Sequence, residues 1–331
     1  MNLRIFKGGV LDTVQDMGRY GWQPSGVNPG GAIDKVSARV ANILVGNSSN
    51  EAVIEIHFPA SAFFFEKPAL IAIAGADFSA SINGEPVPHL HPILLNKFSI
   101  LQFQGVEKGT RAYLAVHGGL DLPPWLGSYS TQLKAAIGGY KGRPLQKEDE
   151  IQLKPSHDFS VGLGKKEFEV LPWKVDMNWG DPTGEETFIL PGNEWSWLTE
   201  KSRSQLTKES FTITSQSDRM GYCLKGRPLS RSSKEELVSS AVTFGTMQLL
   251  PDGQVIVLMA DHQTTGGYPR IGHVISAHHS RLAQMGAGES LQFRVADIGT
   301  AEKLFLKQQH HLALLQDACK LKLDNLLHAY H

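Results

Sequence analysis

Short runs of β-branched and aromatic residues, cut apart by Gly, Pro and Asn, constrain this chain more than any other feature. Residues 62–65, 70–74, 98–103, 113–116, 211–214, 255–259 and 290–295 are such runs. Turn-forming residues bound them, which predicts strands rather than helices. Strands this short and this often interrupted assemble into barrels or sandwiches, so the expected class is mainly β. Two helices interrupt the pattern. From about residue 33 to 44, Ile33, Val36, Val40, Ile43 and Leu44 fall on one face, and Gly46-Asn47 supplies a stop. Near the end, Leu312, Leu315, Cys319, Leu323, Leu326 and Tyr330 recur in steps of three and four. They predict an amphipathic C-terminal helix that buries its stripe on the parent domain or on a partner.

With 331 residues the chain exceeds what one core usually holds, and two compact units are expected. We place an N-terminal β unit at 1–160, a C-terminal β unit at 167–300 and the helix at 301–331, with the charged, Gly-containing stretch 154–166 as linker. An internal echo supports two related halves. Thr13-Val14-Gln15-Asp16-Met17-Gly18-Arg19-Tyr20-Gly21 has a counterpart in Thr214-Ser215-Gln216-Ser217-Asp218-Arg219-Met220-Gly221-Tyr222, each with an acid, an arginine and a glycine at a turn.

Charge excludes some function classes. Lys and Arg number 32 against 33 Asp and Glu, so no net field draws the chain to nucleic acid or to acidic lipid. Met1 to Val10 alternates polar and apolar residues instead of forming a secretory apolar core, and no stretch is apolar enough to span a bilayer. Two cysteines, Cys223 and Cys319, make neither a disulfide framework nor a four-cysteine zinc site. A cytoplasmic location is expected.

The stretch from Asp261 to Arg270 is the strongest candidate for chemistry. Asp261 ends an apolar strand, and Thr264, Thr265, Gly266, Gly267 and Tyr268 follow it. Hydroxyls and closely approachable backbone N–H groups in such a turn can hold a carboxylate, an amide or a ureido ring, although the same residues can simply satisfy a hairpin. Asp16 with Arg19, and Asp218 with Arg219, read either as charged pairs beside a substrate carboxylate or as pins for their own turns. Gly118-Gly119 follows a strand and precedes Ser128, Ser130 and Thr131, but neither a P-loop nor a dinucleotide fingerprint occurs. The paired histidines His89/His91, His278/His279 and His310/His311 lack metal-ligand spacing, so no metal is expected. No Gly-x-Ser-x-Gly elbow and no catalytic cysteine context appear either.

Taken in order, 13–21 with Gly26, Gly31-Ala32-Ile33-Asp34, Asn42 with Gly46-Asn47, Gly118-Gly119, 126–131, Gly138-Gly139 to Arg143, 217–221 and 261–269 resemble one family. It is the biotin-dependent-carboxyltransferase-like family. The family includes the C-type subunit of bacterial 5-oxoprolinase, KipA-type antagonists of a sensor-kinase inhibitor, allophanate hydrolase subunit 2-like proteins and the carboxyltransferase region of urea carboxylase. The resemblance implies two cyclophilin-like β-barrel units. It also implies the C-type component of an ATP-dependent 5-oxoprolinase, which converts 5-oxo-L-proline to L-glutamate with a B-type (KipI-like) subunit and a large A-type subunit that uses ATP. In that setting Asp261, Thr264 and Thr265 would be catalytic, while Arg19, Asp16, Asp218, Arg219, Gly118, Gly119, Gly266, Gly267 and Tyr268 would bind substrate. No cofactor is expected on this chain. Biotin enters only under the alternative of carboxyl transfer to urea or a related amide, and no Met-Lys-Met carrier motif is present. A regulatory antagonist is the third reading. The sequence leaves the pattern at His278-His279, where the family usually carries an acid, and at Thr243 to Gln248.

Overall fold

The computed structural model describes residues 2–155, 157, 159, 163–177, 186–233 and 235–329. Within the stretch 154–166, residues 156, 158 and 160–162 lie outside the described residues, as does Tyr330. The architecture is mainly β, and contacts divide the chain into two compact units. One comprises Met1–Arg19, Asp34–Met177 and His310–His331, the other Tyr20–Ile33 and Asn178–Gln309.

The first unit holds two six-stranded sheets. The first sheet runs in the order Glu150–Gln152, Asn2–Lys7, Ala62–Phe65, Ser99–Phe103, Ala80–Ile82 and Glu85–Pro86. The second runs Phe168–Val170, Pro92–Leu95, Ala69–Asp77, Lys108–Val116, Val53–Ile56 and Thr13–Gln15. Alternate residues from both sheets fill one core, with Leu3, Ile5, Phe63, Phe65 and Leu101 on one side and Ile54, Ile56, Ile71, Ile73 and Leu114 on the other. The intervening residues Leu70, Ala72, Ala74 and Ala115 are buried too, because the helix Lys35–Leu44 packs on strands Ala69–Asp77 and Lys108–Val116. Alanines there let the helix backbone come close. Asp34 caps that helix through Ser37 N at 3.0 Å and Ser37 Oγ at 2.6 Å.

The second unit is a closed seven-stranded barrel. Its order is Glu186–Pro191, Arg270–Val274, Thr246–Leu249, Val255–Leu258, Gly221–Lys225, Ser210–Ile213 and Ser290–Val295, the last closing in parallel on the first. Met247 and Leu249, Val255 and Val257, Tyr222 and Leu224, Phe211 and Ile213, and Leu291 and Phe293 all point inward. The residues between them therefore face out of the barrel. A two-stranded ladder joins Ser240–Ala241 to Thr265–Gly266.

The C-terminal helix spans Ile298–Ala329. Of its predicted stripe, Leu312, Cys319 and Leu323 are buried and Leu315 and Leu326 are half-buried. Burial pushes the Cys319 thiol up to about 11, which leaves it inert as a nucleophile. Gly46, at φ +74°, lies directly under Leu323, whose Cδ2 a β-carbon at Gly46 would overlap. Gly46→Ala therefore imposes both a left-handed strain and an overlap. It is expected to cost about 1–3 kcal/mol, measured by urea unfolding, with early loss of protection in amide exchange over 310–329. No helix among the described residues is long and apolar enough to cross a membrane.

Candidate functional site

In the second unit the strand Val255–Leu258 runs out into Met259, Ala260 and Asp261, and the chain then turns. Asp261 is held from three directions. Arg219 binds its carboxylate in bidentate fashion, Nε to Oδ2 at 2.9 Å and Nη2 to Oδ1 at 3.0 Å. The Asp261 N–H donates to Arg219 O at 2.8 Å, and Asn28 Nδ2 donates to Asp261 O at 2.9 Å. Arg219 Nη2 also donates to Gly31 O at 2.7 Å. Both side chains are only 6% exposed. A paired, hydrogen-bonded charge is the only form in which such groups are tolerated in a core, and planar guanidinium geometry makes the pair rigid. Asp261 is thus anchored at a fixed place and angle.

From this anchor the turn proceeds through His262, which is buried, to Gln263, Thr264, Thr265 and Gly266. Thr264 O accepts from Val242 N at 3.1 Å, and Thr265 and Gly266 pair with Ala241 and Ser240. Thr264 is half-buried, whereas Thr265, Gly267 and Tyr268 are exposed. The turn ends at Arg270, which repeats the anchoring device. Its Nε and Nη2 meet Glu194 Oε2 and Oε1 at 3.0 and 2.9 Å, and its N–H donates to Oε2 at 2.8 Å. Burial would raise the Glu194 carboxyl, but the bonds from Arg270 outweigh it and hold the group below its ordinary value. Two bidentate pairs therefore clamp both ends of a turn on which Thr265, Gly267 and Tyr268 are exposed.

The remaining predicted residues of this unit have local partners. Asp218 Oδ1 accepts from Met220 N at 2.7 Å and Gly221 N at 3.2 Å, so it closes its own turn. Its neighbour Arg219 reaches Asp261 instead. His278 Nδ1 accepts from Phe188 N at 2.9 Å, and the His279 ring packs edge-on against Phe244, 4.3 Å between centroids. These two histidines lie in the short helical turns Ser276–His278 and His279–Ala283 that follow the barrel strand Arg270–Val274.

In the first unit Asp16 and Arg19 organise a loop. Asp16 Oδ1 accepts from Gly18 N at 2.7 Å, Ser128 Oγ at 2.7 Å and Ser130 Oγ at 2.5 Å, and Oδ2 accepts from Tyr129 N at 2.6 Å. Arg19 is buried, donates to Ser130 O and lies over the Trp125 ring, 4.8 Å from its centroid. Gly118 N donates to Asn47 Oδ1 at 2.9 Å, and Gly119, at φ +90°, has no room for a β-carbon beside Glu51. Here the predicted residues hold the backbone between strand ends. No group of three or more His, Cys, Asp and Glu among the described residues is placed to hold a metal ion.

Sequence reasoning missed Asn28, Glu194 and the Gly31 carbonyl, which meet Asp261, Arg270 and Arg219 respectively from distant segments. It noticed Gln248 only as the end of an irregular stretch, yet this side chain lies against Gly266.

The profile of the carboxyltransferase domain, subdomains A and B, matches residues 25–295. The chain is 36% identical over 313 residues to the C-type subunit of 5-oxoprolinase from Escherichia coli K12, covering 95% of this chain and 97% of that protein. It is 27% identical to urea amidolyase of Saccharomyces cerevisiae over 302 residues, which are 86% of this chain but 16% of that protein. Among solved structures it resembles Kluyveromyces lactis urea carboxylase, with a TM-score of 0.83 and 26% identity over 95% of this chain and 29% of that one.

Proposed function

The chain belongs to the family of carboxyltransferase domains of subdomains A and B, and from that premise we propose that it is the C-type component of an ATP-dependent 5-oxoprolinase complex. The observation that carries this reading is length. The match to the Escherichia coli protein runs over nearly all of both chains, whereas the chain spans under a fifth of the yeast urea amidolyase. A B-type subunit would share the substrate with this chain, and a large A-type subunit would use ATP, since no nucleotide motif occurs here.

Hydrolysis of 5-oxoproline breaks the ring C–N bond, and water supplies the new carboxylate oxygen. In this setting the residues of the clamped turn have separable roles. Asp261 and Arg219 serve as positioning residues, because each already takes the other's hydrogen bonds. Thr264, Thr265 and the backbone at Gly266 and Gly267 meet the lactam, with Tyr268, 45% exposed, beside them. Arg19 and Asp16 stabilise the 128–131 loop of their own unit.

A second reading, biotin-dependent carboxyl transfer to urea or a related amide, draws support from the likeness to Kluyveromyces lactis urea carboxylase. Avidin separates the two. The assembled complex is expected to release glutamate from 5-oxoproline and ATP at an unchanged rate with avidin present. Turnover that requires urea and bicarbonate and stops with avidin would overturn the 5-oxoprolinase reading. Tight capture of a kinase inhibitor without any turnover would replace both with a regulatory role.

A further inference from the structure

An open groove of about 600 Å³ lies in the first unit, between the end of the helix Lys35–Leu44 and the C-terminal helix. That volume falls within the range of small-molecule sites. Ile43, Leu323 and Leu327 supply its apolar lining, and Leu323 lies close over the backbone because Gly46 carries no β-carbon. An apolar surface that water can enter is one that a ligand gains by covering.

His117 lines the groove as well and is half-buried, so a ligand can reach it. Its Nδ1 lies 2.6 Å from Val45 O. A carbonyl only accepts, so Nδ1 carries the proton. Burial pushes the His117 pKa down by more than the bond to Val45 O raises it, and the ring is neutral at neutral pH. Nε2 therefore offers a lone pair to a donor. The carbonyl end of the helix Lys35–Leu44 meets the same groove and adds its partial negative charge. From the C-terminal helix come Lys320 and Asp324, one turn apart, both exposed and both lining the groove. Neither makes an ion pair among the described residues, and a lysine before an acid is the weaker order for a pair at this spacing. A cation, an anion and a neutral acceptor thus surround one apolar surface.

We propose that this groove is a binding site for an α-amino acid with a large apolar side chain. The ammonium group donates to His117 Nε2 and meets Asp324, the carboxylate meets Lys320, and the side chain covers Ile43, Leu323 and Leu327. An amine or a carboxylic acid alone would leave one of the two charges unused. The groove belongs to the first unit and the 261–267 turn to the second, so this site does not depend on the reading of that turn.

The test is ligand-observed NMR titration of the purified full chain with L-leucine and L-phenylalanine. Two further probes each lack one charge of leucine: 4-methylpentanoate has no ammonium group and 3-methylbutylamine no carboxylate. At least one of the amino acids is expected to bind, and each singly charged probe about tenfold more weakly than leucine. Lys320→Met should weaken the amino acid severalfold and leave 3-methylbutylamine unchanged. Asp324→Asn should also weaken the amino acid severalfold, but spare 4-methylpentanoate. Both positions are exposed on a helix, so both variants should fold. Amino-acid binding unchanged in both variants would place the ligand elsewhere and overturn the site. Singly charged probes that bind as tightly as leucine would overturn it too, as would a wild-type chain that binds neither amino acid.

Discussion

Asp261→Ala is expected to lower the unfolding free energy by about 3–5 kcal/mol, the usual penalty for stranding one member of a buried ion pair. The magnitude follows from what remains. Arg219 would keep its bond to Gly31 O but lose both bonds to the carboxylate, at a place where it is 6% exposed and water cannot replace them. Removing the cation as well, with Arg219→Met in the same chain, should recover most of the loss, because a well-packed apolar pair carries no desolvation penalty. Urea unfolding of the single and double variants checks this. The two effects separate stability from catalysis: the double variant should be stable yet slow, as the turn has lost its anchor. A folded Asp261→Ala chain that holds its partners and turns over at the full rate would remove this residue from the mechanism.

Glu194→Ala is expected to cost about 2–3 kcal/mol, somewhat less than the Asp261 change because Arg270 is 14% exposed and partly reaches water. The same pair predicts a pH dependence. The folded-state pKa of Glu194 is depressed, so its contribution is fully present above the unfolded value of about 4.3 and is lost as pH falls through the lower folded value. Asp149 behaves alike: burial would raise it, but the bidentate Arg143, at 2.7 Å to each oxygen, and the Gln146 N–H hold it low. Asp12 works in the opposite sense, because its burial prevails over its hydrogen bonds from Ser61 and His57 and raises it. Asp297, on the surface, is held low by the Thr300 N–H and hydroxyl, and three depressed carboxylates against one raised predict a melting temperature that falls between about pH 5 and pH 3. The fall should be shallower in Glu194→Gln, measured by circular dichroism.

Much of the fold was legible because period-2 burial writes itself into sequence. Each of the seven predicted runs forms a strand, and the extended ones grew by pairing: 70–74 became Ala69–Asp77 because Lys108–Val116 continues alongside it. Among the strands outside those runs, Thr246–Leu249 and Arg270–Val274 carry Gln, Arg, Gly and His. Their place depends on neighbours in the barrel rather than on intrinsic preference. The first helix was readable through its apolar face, and its start moved to Lys35 because Asp34 takes the capping position.

The site was half legible. The turn after Asp261 could be found, since a strand end followed by hydroxyls and glycines is a local pattern. Its anchors could not. Arg219 stands next to Asp218 in sequence but pairs with Asp261, forty-two positions away, because Asp218 is already occupied by its own turn. The same holds for Glu194 with Arg270 and for Asn28, whose partners only the folded chain brings within reach.

The most direct test of the central claim is glutamate release from 5-oxoproline and ATP, measured in the complex assembled with this chain and again with this chain left out. Release that falls to background on omission is the predicted result. Release that continues unchanged without the chain would contradict a role in the 5-oxoprolinase reaction.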